Sequence, residues 1–597
     1  VAGTNTNSPD PAANAWHTFA PVQTNITQIM KSILSLPLSL LLVFLAVSPI
    51  LNAQLSLDWA LTQGSNQSDF PVNGGIDSDD HIFSMCIFRD TVDLDPGPQE
   101  DWLFPIAYEI SVLSKFDKDG TYLWGSRLWS PGGGHGFVGE MKNDIILIVA
   151  DYTDSLIYAR EETVVTIANH PGKNICIIQM DTEGKIIAVH PLLNNNNMYF
   201  ANLFTLNDGS YLISGSFVDT INLATSGGMT SFISKGEYDA YLAHFNSSFK
   251  MDWFTTLGGI GDDYIENTFL QNEESIYYTL GHDEPITVVT DDGVKTITPS
   301  GEEDGIFGKV SLEDGSIQSA IPFGGSLDDR ISSITADEDD NIYICGYFAG
   351  DVNFELGGGT PAIFTTVDEG DGFAAKYHQD GSLQWARIIT DTDYGGIYTI
   401  TLERGNELYL AGNYSYHADL DPGPDSLIVD SDHRGDPYVL KLDTDGNMLW
   451  AHNFPGTGNE GIRQVLVDDT KVIVNGFYSE VMDADPSSNE QLIVSQGGSD
   501  MFTWKFTEEG VISATNQLQP SLEIALYPNP SADEIHITCE TDIEYISLHA
   551  LNGALLTVPT SIQNEKAQIN LRGVIPGIYL VKVKSGDQFT VTKVVKE

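Results

Sequence analysis

The chain has 597 residues, 41% hydrophobic and 10% aromatic, enough apolar material for several packed domains, which excludes global disorder. Lys and Arg number 28 against 84 Asp and Glu, a net charge of −56 that repels nucleic acid and anionic lipid and favours cations or basic partners. Residues 54–520 hold 21 of the basic and 74 of the acidic side chains, and the solubility of a secreted protein explains the same acidity.

Residues 1–29 are polar and patternless. Met30-Lys31, the apolar run 33–47 interrupted by Pro37, and Leu51-Asn52-Ala53 before Gln54 have the order of a cleaved secretory signal. The reading places translation start at Met30, a signal peptide over 30–53 and a disordered leader over 1–29. No later stretch is long and apolar enough to predict a membrane-spanning helix.

From residue 57 one strand keeps returning, as in Ser210-Tyr211-Leu212-Ile213-Ser214-Gly215 and Asn341-Ile342-Tyr343-Ile344-Cys345-Gly346. Its closing small residues, Cys86, Ala150, Gly215, Gly281, Gly346, Gly412 and Gly476, are 64, 65, 66, 65, 66 and 64 positions apart. A fixed period over seven copies marks a repeat architecture. Each unit reads as two hairpins: residues 331–336 pair with the recurrent strand across an acidic turn, and 373–386 form strand, glycine turn and a strand carrying Trp385. Turn glycines at 120, 184, 315, 381, 446 and 510 keep the period, as a position needing positive φ requires. Four antiparallel strands per unit without helical periodicity predict an all-β chain with a seven-bladed β-propeller over 54–514. The strand around Trp59, or that at 511–514, completes the last unit; the sequence leaves both open.

The units resemble bacterial β-propeller repeats of the SBBP type. The pattern D-x-[FY]-x-x-K, glycine, tryptophan stands at 371–385, G-G-x-x-x-D at 324–329 and N-I-Y-x-x-G at 341–346. It is complete in the fourth to sixth units and degenerate in the second and third, where Asn194 to Asn197 replace the glycine-acid motif.

A linker over 515–522 leads to a small all-β segment over 523–597. Tyr527-Pro528-Asn529-Pro530, the Leu551-Asn552-Gly553 turn, the strand from Gly577 and the basic-apolar end Lys593-Val594-Val595-Lys596 resemble a type IX secretion C-terminal sorting domain. The resemblance implies an immunoglobulin-like β-sandwich recognised by the type IX secretion machinery at the outer membrane. It also implies a mature protein that is secreted or attached to the cell surface, the tail being removed or exchanged for a lipid.

Gly134 to Gly139 fits GxGxxG, but a strand follows it where the dinucleotide fingerprint requires a helix. Asp93 and Asp95, and again Asp419 and Asp421, stand in Asp-x-Asp-Pro-Gly turns. Such paired carboxylates could give calcium oxygen ligands, but a turn in which Asp accepts backbone N–H bonds is the favoured explanation of the same residues. Asp69, Asp262, Asp263, Asp328, Asp329, Asp393 and Glu460 precede the first strand of their units. If that strand is innermost, they gather at one mouth of the channel, where like charges raise each other's pKa or attract a cation. Loop capping is the alternative. The cysteines, Cys86, Cys176, Cys345 and Cys539, form no CxxC and read as small buried apolar residues. With no GxSxG, HExxH or metal-spaced histidines, the sequence favours a binding or adhesion module for a protein or glycan over an enzyme acting on polysaccharide or a structural surface component.

Overall fold

The computed structural model describes residues 54–509 and 524–596, except 105–108, 135, 161–162, 194–197, 226, 272, 367–369, 392–394, 404–406, 469, 488–490, 540, 544, 551–554, 557 and 586–587. The leader, signal and linker, the strand at 511–514, Asp393 and the Asn552-Gly553 turn lie outside the described residues. Every regular element among those described is a strand.

The repeat folds as four-stranded antiparallel units, modules I to VI, at 70–129, 136–193, 198–257, 263–323, 330–391 and 396–453, and a module VII whose span 461–509 holds three strands. Module V shows the plan. Arg330–Ala336, Ile342–Phe348, Asp371–Tyr377 and Leu383–Asp391 pair in sequence order. Its second and third strands are buried almost throughout, because a neighbouring module covers each face. That is why the recurrent strand reads as a near-continuous apolar run rather than an alternation.

Apolar layers fill the seams between successive modules, for example Tyr277, Phe307, Ile344 and Phe373 between IV and V. The first strands touch in order from I to VII, and that of VII touches that of I. The architecture is therefore all-β and propeller-like. The question of the missing fourth strand in VII resolves by pairing: Gln54–Gln63 lies antiparallel to Leu492–Glu509, with Trp59 opposite Lys505. This tie between the two ends of the repeat covers a strand edge that would otherwise offer itself to other chains.

The tryptophan of the repeat pattern, joined in modules V and VII by a lysine, holds modules III, V and VII to the next. In module V, Trp385 sits opposite Lys376. Its indole N–H donates to the Thr444 carbonyl in the turn of module VI at 2.9 Å, and Lys376 Nζ reaches the same oxygen at 3.3 Å. Trp253 does the same to Leu312, and Trp59 with Lys505 to Lys118 in module I. The turn glycines complete the fit. Gly446 has φ +77°, and a Cβ there would lie 2.9 Å from the Trp385 ring. Gly120 bears the same relation to Trp59.

The C-terminal segment has two four-stranded antiparallel sheets. Ile535, Ile537 and Ile569 of one share a core with Leu548, Val581 and Val594 of the other. The Asn529 side chain binds the last strand, Gln588–Lys596, like a strand extension: its Nδ2 donates to Lys593 O at 2.7 Å and its Oδ1 accepts from Val595 N–H at 2.8 Å. Ser531 N–H donates to Val595 O at 2.8 Å. Tyr527 and Lys593 are exposed, and Gly577 opens the strand Gly577–Ser585. All four cysteines are free; Cys86, Cys176 and Cys345 are buried, but Cys539 is only partly so because it is the last residue of its strand, Glu534–Cys539.

Candidate functional site

The residues that precede the first strands are set by the G-G-x-x-x-D loop. In the loop joining IV to V, Gly325 N–H and Ala349 N–H donate to Asp329 at 2.5 and 2.9 Å, leaving the carboxylate buried. Asp263 accepts from Gly259 N–H, Glu460 from Gly458 N–H and Asp69 from Ser65 N–H. All are buried, so these four cap loops at the seams rather than facing an open channel. Asp262 and Asp328 remain accessible, accepting from Tyr238 N–H and Glu303 N–H.

A second acid, which the sequence reading passed over, faces the first across each such loop. It stands on the third strand of the preceding module: Asp239, Asp304, Asp436 and Asp500, all buried. The leading Asp of the D-x-[FY] pattern was the available signal. Burial raises Asp263, Asp329 and Asp500 to about 7, Asp69 to about 6 and Glu460 to about 8. The partner acid adds to the rise: Asp239 for Asp263, Asp304 for Asp329, Asp436 for Glu460 and, at the closing seam, Asp69 for Asp500. Asp263 Oδ1, Asp304 Oδ1, Asp500 Oδ1 and Glu460 Oε2 are buried without a hydrogen-bond partner.

The Asp-x-Asp-Pro-Gly residues sit in an inserted turn between the second and third strands. Asp93 Oδ1 accepts from Asp95 and Asp101 N–H, and Asp95 Oδ1 from Gly97 N–H. Asp419 and Asp421 repeat the pattern, and Asn353 with Glu355 build the same turn in module V without the motif. Each inner oxygen is thus engaged by backbone. No group of three or more His, Cys, Asp or Glu side chains able to hold a metal occurs among the described residues.

The accessible part of the strand-entry face is aromatic. Tyr199 and Tyr264 stand near the starts of the first strands of III and IV, with Tyr238 between them from the third strand of III. The ring centroids are 5.4 Å apart for Tyr199 and Tyr238 and 5.3 Å for Tyr238 and Tyr264. Tyr199 is 58% and Tyr264 37% exposed, unusual for rings packed this closely. Beside them, Arg330 Nη2 donates to Glu266 Oε1 at 2.6 Å. Glu303 lies close by, and burial raises its pKa. A Cβ at Gly281 would lie 2.9 Å from Glu303 Oε1 and 3.6 Å from Glu266 Oε1, so the two carboxylates flank that glycine. Tyrosines drawn from three strands have no common spacing, which is why the sequence did not announce them.

Fold and face together define an all-β, propeller-like repeat domain followed by a small two-sheet tail. Residues 525–597 match the family described as "Secretion system C-terminal sorting domain". The tail is thus a type IX sorting domain, and the chain is exported to the cell surface or medium. Part of the chain is 24% identical over 220 residues to an uncharacterised WD repeat-containing protein of Acanthamoeba polyphaga mimivirus. The match spans 33% of this chain and 16% of that protein, far less than two thirds of its length. Similar solved structures include a europium-containing methanol dehydrogenase, with 9% identity, TM-score 0.29 and coverage of 75% of this chain and 93% of that one. A puromycin hydrolase gives 12%, 0.32, 69% and 59%, and a DUF4221 protein of Bacteroides vulgatus 10%, 0.27, 76% and 99%.

Proposed function

We propose that the repeat domain is a closed seven-bladed propeller that the sorting domain delivers to the cell exterior, where its strand-entry face binds saccharide. The tyrosine row carries this reading. Flat, exposed rings held in place by one another match the apolar faces of pyranose rings at low entropic cost, while Asp262 and Glu266 offer acceptors for hydroxyls. The test is a glycan microarray probed with the labelled protein and with a Tyr199→Ala/Tyr264→Ala variant. Selective binding to a set of neutral glycans that falls at least tenfold in the variant is expected. No selective binding, or equal binding by the variant, overturns the reading.

Hydrolysis of a bound polysaccharide is the second reading, favoured by Glu266 and Glu303. Arg330 donates to Glu266 while burial favours the protonated form of Glu303, which leaves the two carboxyl groups in different surroundings, as a carboxylate pair needs. Glu303→Gln would then abolish release of reducing ends and leave glycan binding intact.

A further inference from the structure

At the seam between modules I and II a cavity of about 160 Å³ opens, lined among others by Asp101, Trp102, Tyr122, Trp124, Arg127 and Arg160. It lies away from the tyrosine face, beneath the inserted ribbon Val92–Asp93 and Trp102–Leu103.

Here the repeat's own rule fails. The indoles of Trp59, Trp253 and Trp385 donate to a carbonyl of the next module, and that of Trp450 donates to Glu508. Trp124 occupies the same place opposite Lys115, and Lys115 Nζ does reach Thr182 O at 2.9 Å. Yet Trp124 Nε1 is buried without any partner, in a residue only 7% exposed. A buried donor left unpaired is costly and calls for a group that the protein itself does not supply.

The charges are equally out of pattern. In a chain with three acidic side chains for each basic one, Arg127 makes no hydrogen bond or ion pair with any described residue. The Arg160 guanidinium lies 4.5 Å from the Trp124 ring centroid and also lines a second cavity of about 360 Å³, beside Lys185. Arg127, Arg160 and Lys185 thus gather along this one seam. Trp102 stands 46% exposed at the rim, its indole held by Glu100 at 3.1 Å, and Asp101 accepts from the Tyr122 hydroxyl at 2.5 Å.

We propose that this cavity binds a uronic acid unit of an acidic polysaccharide. Arg127 meets the carboxylate, for which a planar guanidinium fork is suited. The exposed face of Trp102 covers the ring, Trp124 Nε1 donates to a ring hydroxyl or to the carboxylate, and Asp101 accepts from another hydroxyl. The second cavity across Arg160 takes the next residue of the same chain.

The probe is trigalacturonate, titrated calorimetrically into the full-length protein with neutral galactotriose as control. Trigalacturonate should bind at least tenfold more tightly than galactotriose and weaken as salt rises. Arg127→Gln and Trp102→Ala should each reduce trigalacturonate binding at least tenfold. Neither should lower the thermal midpoint appreciably, since Arg127 has no partner to lose among the described residues and Trp102 is at the surface. The tyrosine-face variant Tyr199→Ala/Tyr264→Ala should bind trigalacturonate as the parent does, which separates this site from the platform proposed above. Absence of binding, equal affinity for the neutral trisaccharide, or parent-like binding by Arg127→Gln overturns the proposal.

Discussion

The seam between modules V and VI and the seam between I and II are built from the same pattern and end differently. At the first, Trp385, Lys376 and Arg387 all donate to the turn of the next module: Trp385 and Lys376 to Thr444 O, Arg387 to Gly446 O and Asp445 O. At the second, Lys115 keeps its contact, but Trp124 Nε1 finds none. A motif residue whose hydrogen bonds are consumed by the neighbouring module is scaffold; the same residue with a donor left over is free to take a ligand. The largest expected difference follows. Trp385→Ala should cost about 3–5 kcal/mol in chemical unfolding, removing packing and an inter-module hydrogen bond together. Trp124→Ala should cost distinctly less, because its flank is already open to a cavity. Equal losses at the two positions would erase the distinction between the seams.

The two kinds of seam should also part company with pH. Seam IV–V encloses Asp304 and Asp329, whereas the third strand of module I is preceded by Glu109, which is tied to Arg89 at 2.6 Å. A buried acid with a raised pKa stays protonated in the folded chain while the unfolded chain ionises, so the folded state binds more protons and stability falls as pH rises. The windows run from the ordinary value near 4 up to about 6 for Asp69, about 7 for Asp263, Asp329 and Asp500, and about 8 for Glu460. Each contributes about 1.4 kcal/mol per pH unit across its window. The denaturation midpoint should therefore drop between pH 5 and pH 8, and Asp329→Asn should flatten that slope. Amide exchange at pH 8 should accelerate around 324–330 before it does around 122–129. A midpoint that rises over this range would refute the assignment of these acids as protonated caps.

How much of this was open to a reader of the sequence depends on the distance of each partner. Strand pairing within a module is local, so the period, the glycine turns and the hairpins stood out. The reach of Trp253, Trp385 and Trp59 to a carbonyl 59 residues further on is as regular as the repeat, but nothing in one module names its partner in the next. Closure was ambiguous for the same reason: Trp59 finds Lys505 only because the ring returns there. The acids before the first strands were visible, whereas their burial was not, because it depends on a second acid and two glycines contributed by the preceding module. The Asp-x-Asp-Pro-Gly motif read as a turn in the sequence, but which backbone N–H groups its oxygens accept from, Asp101 eight residues on among them, shows only in the fold.

The smallest effect isolates the indole hydrogen bond itself. Trp→Phe keeps an aromatic ring on the seam and deletes the N–H. At position 385 it should cost about 1 kcal/mol beyond the loss of ring volume, because the Thr444 carbonyl loses one of its two donors and keeps only the longer bond from Lys376. At position 124 the N–H has no acceptor to abandon, so deletion of a buried unpaired group offsets the smaller ring and leaves stability within about 0.5 kcal/mol of the parent. The same Trp124→Phe substitution should weaken trigalacturonate binding, since the proposed ligand is what that donor awaits. Stability lost at 124 as at 385, with binding untouched, would mean that the indole already has a partner within the fold and that the two seams are alike after all.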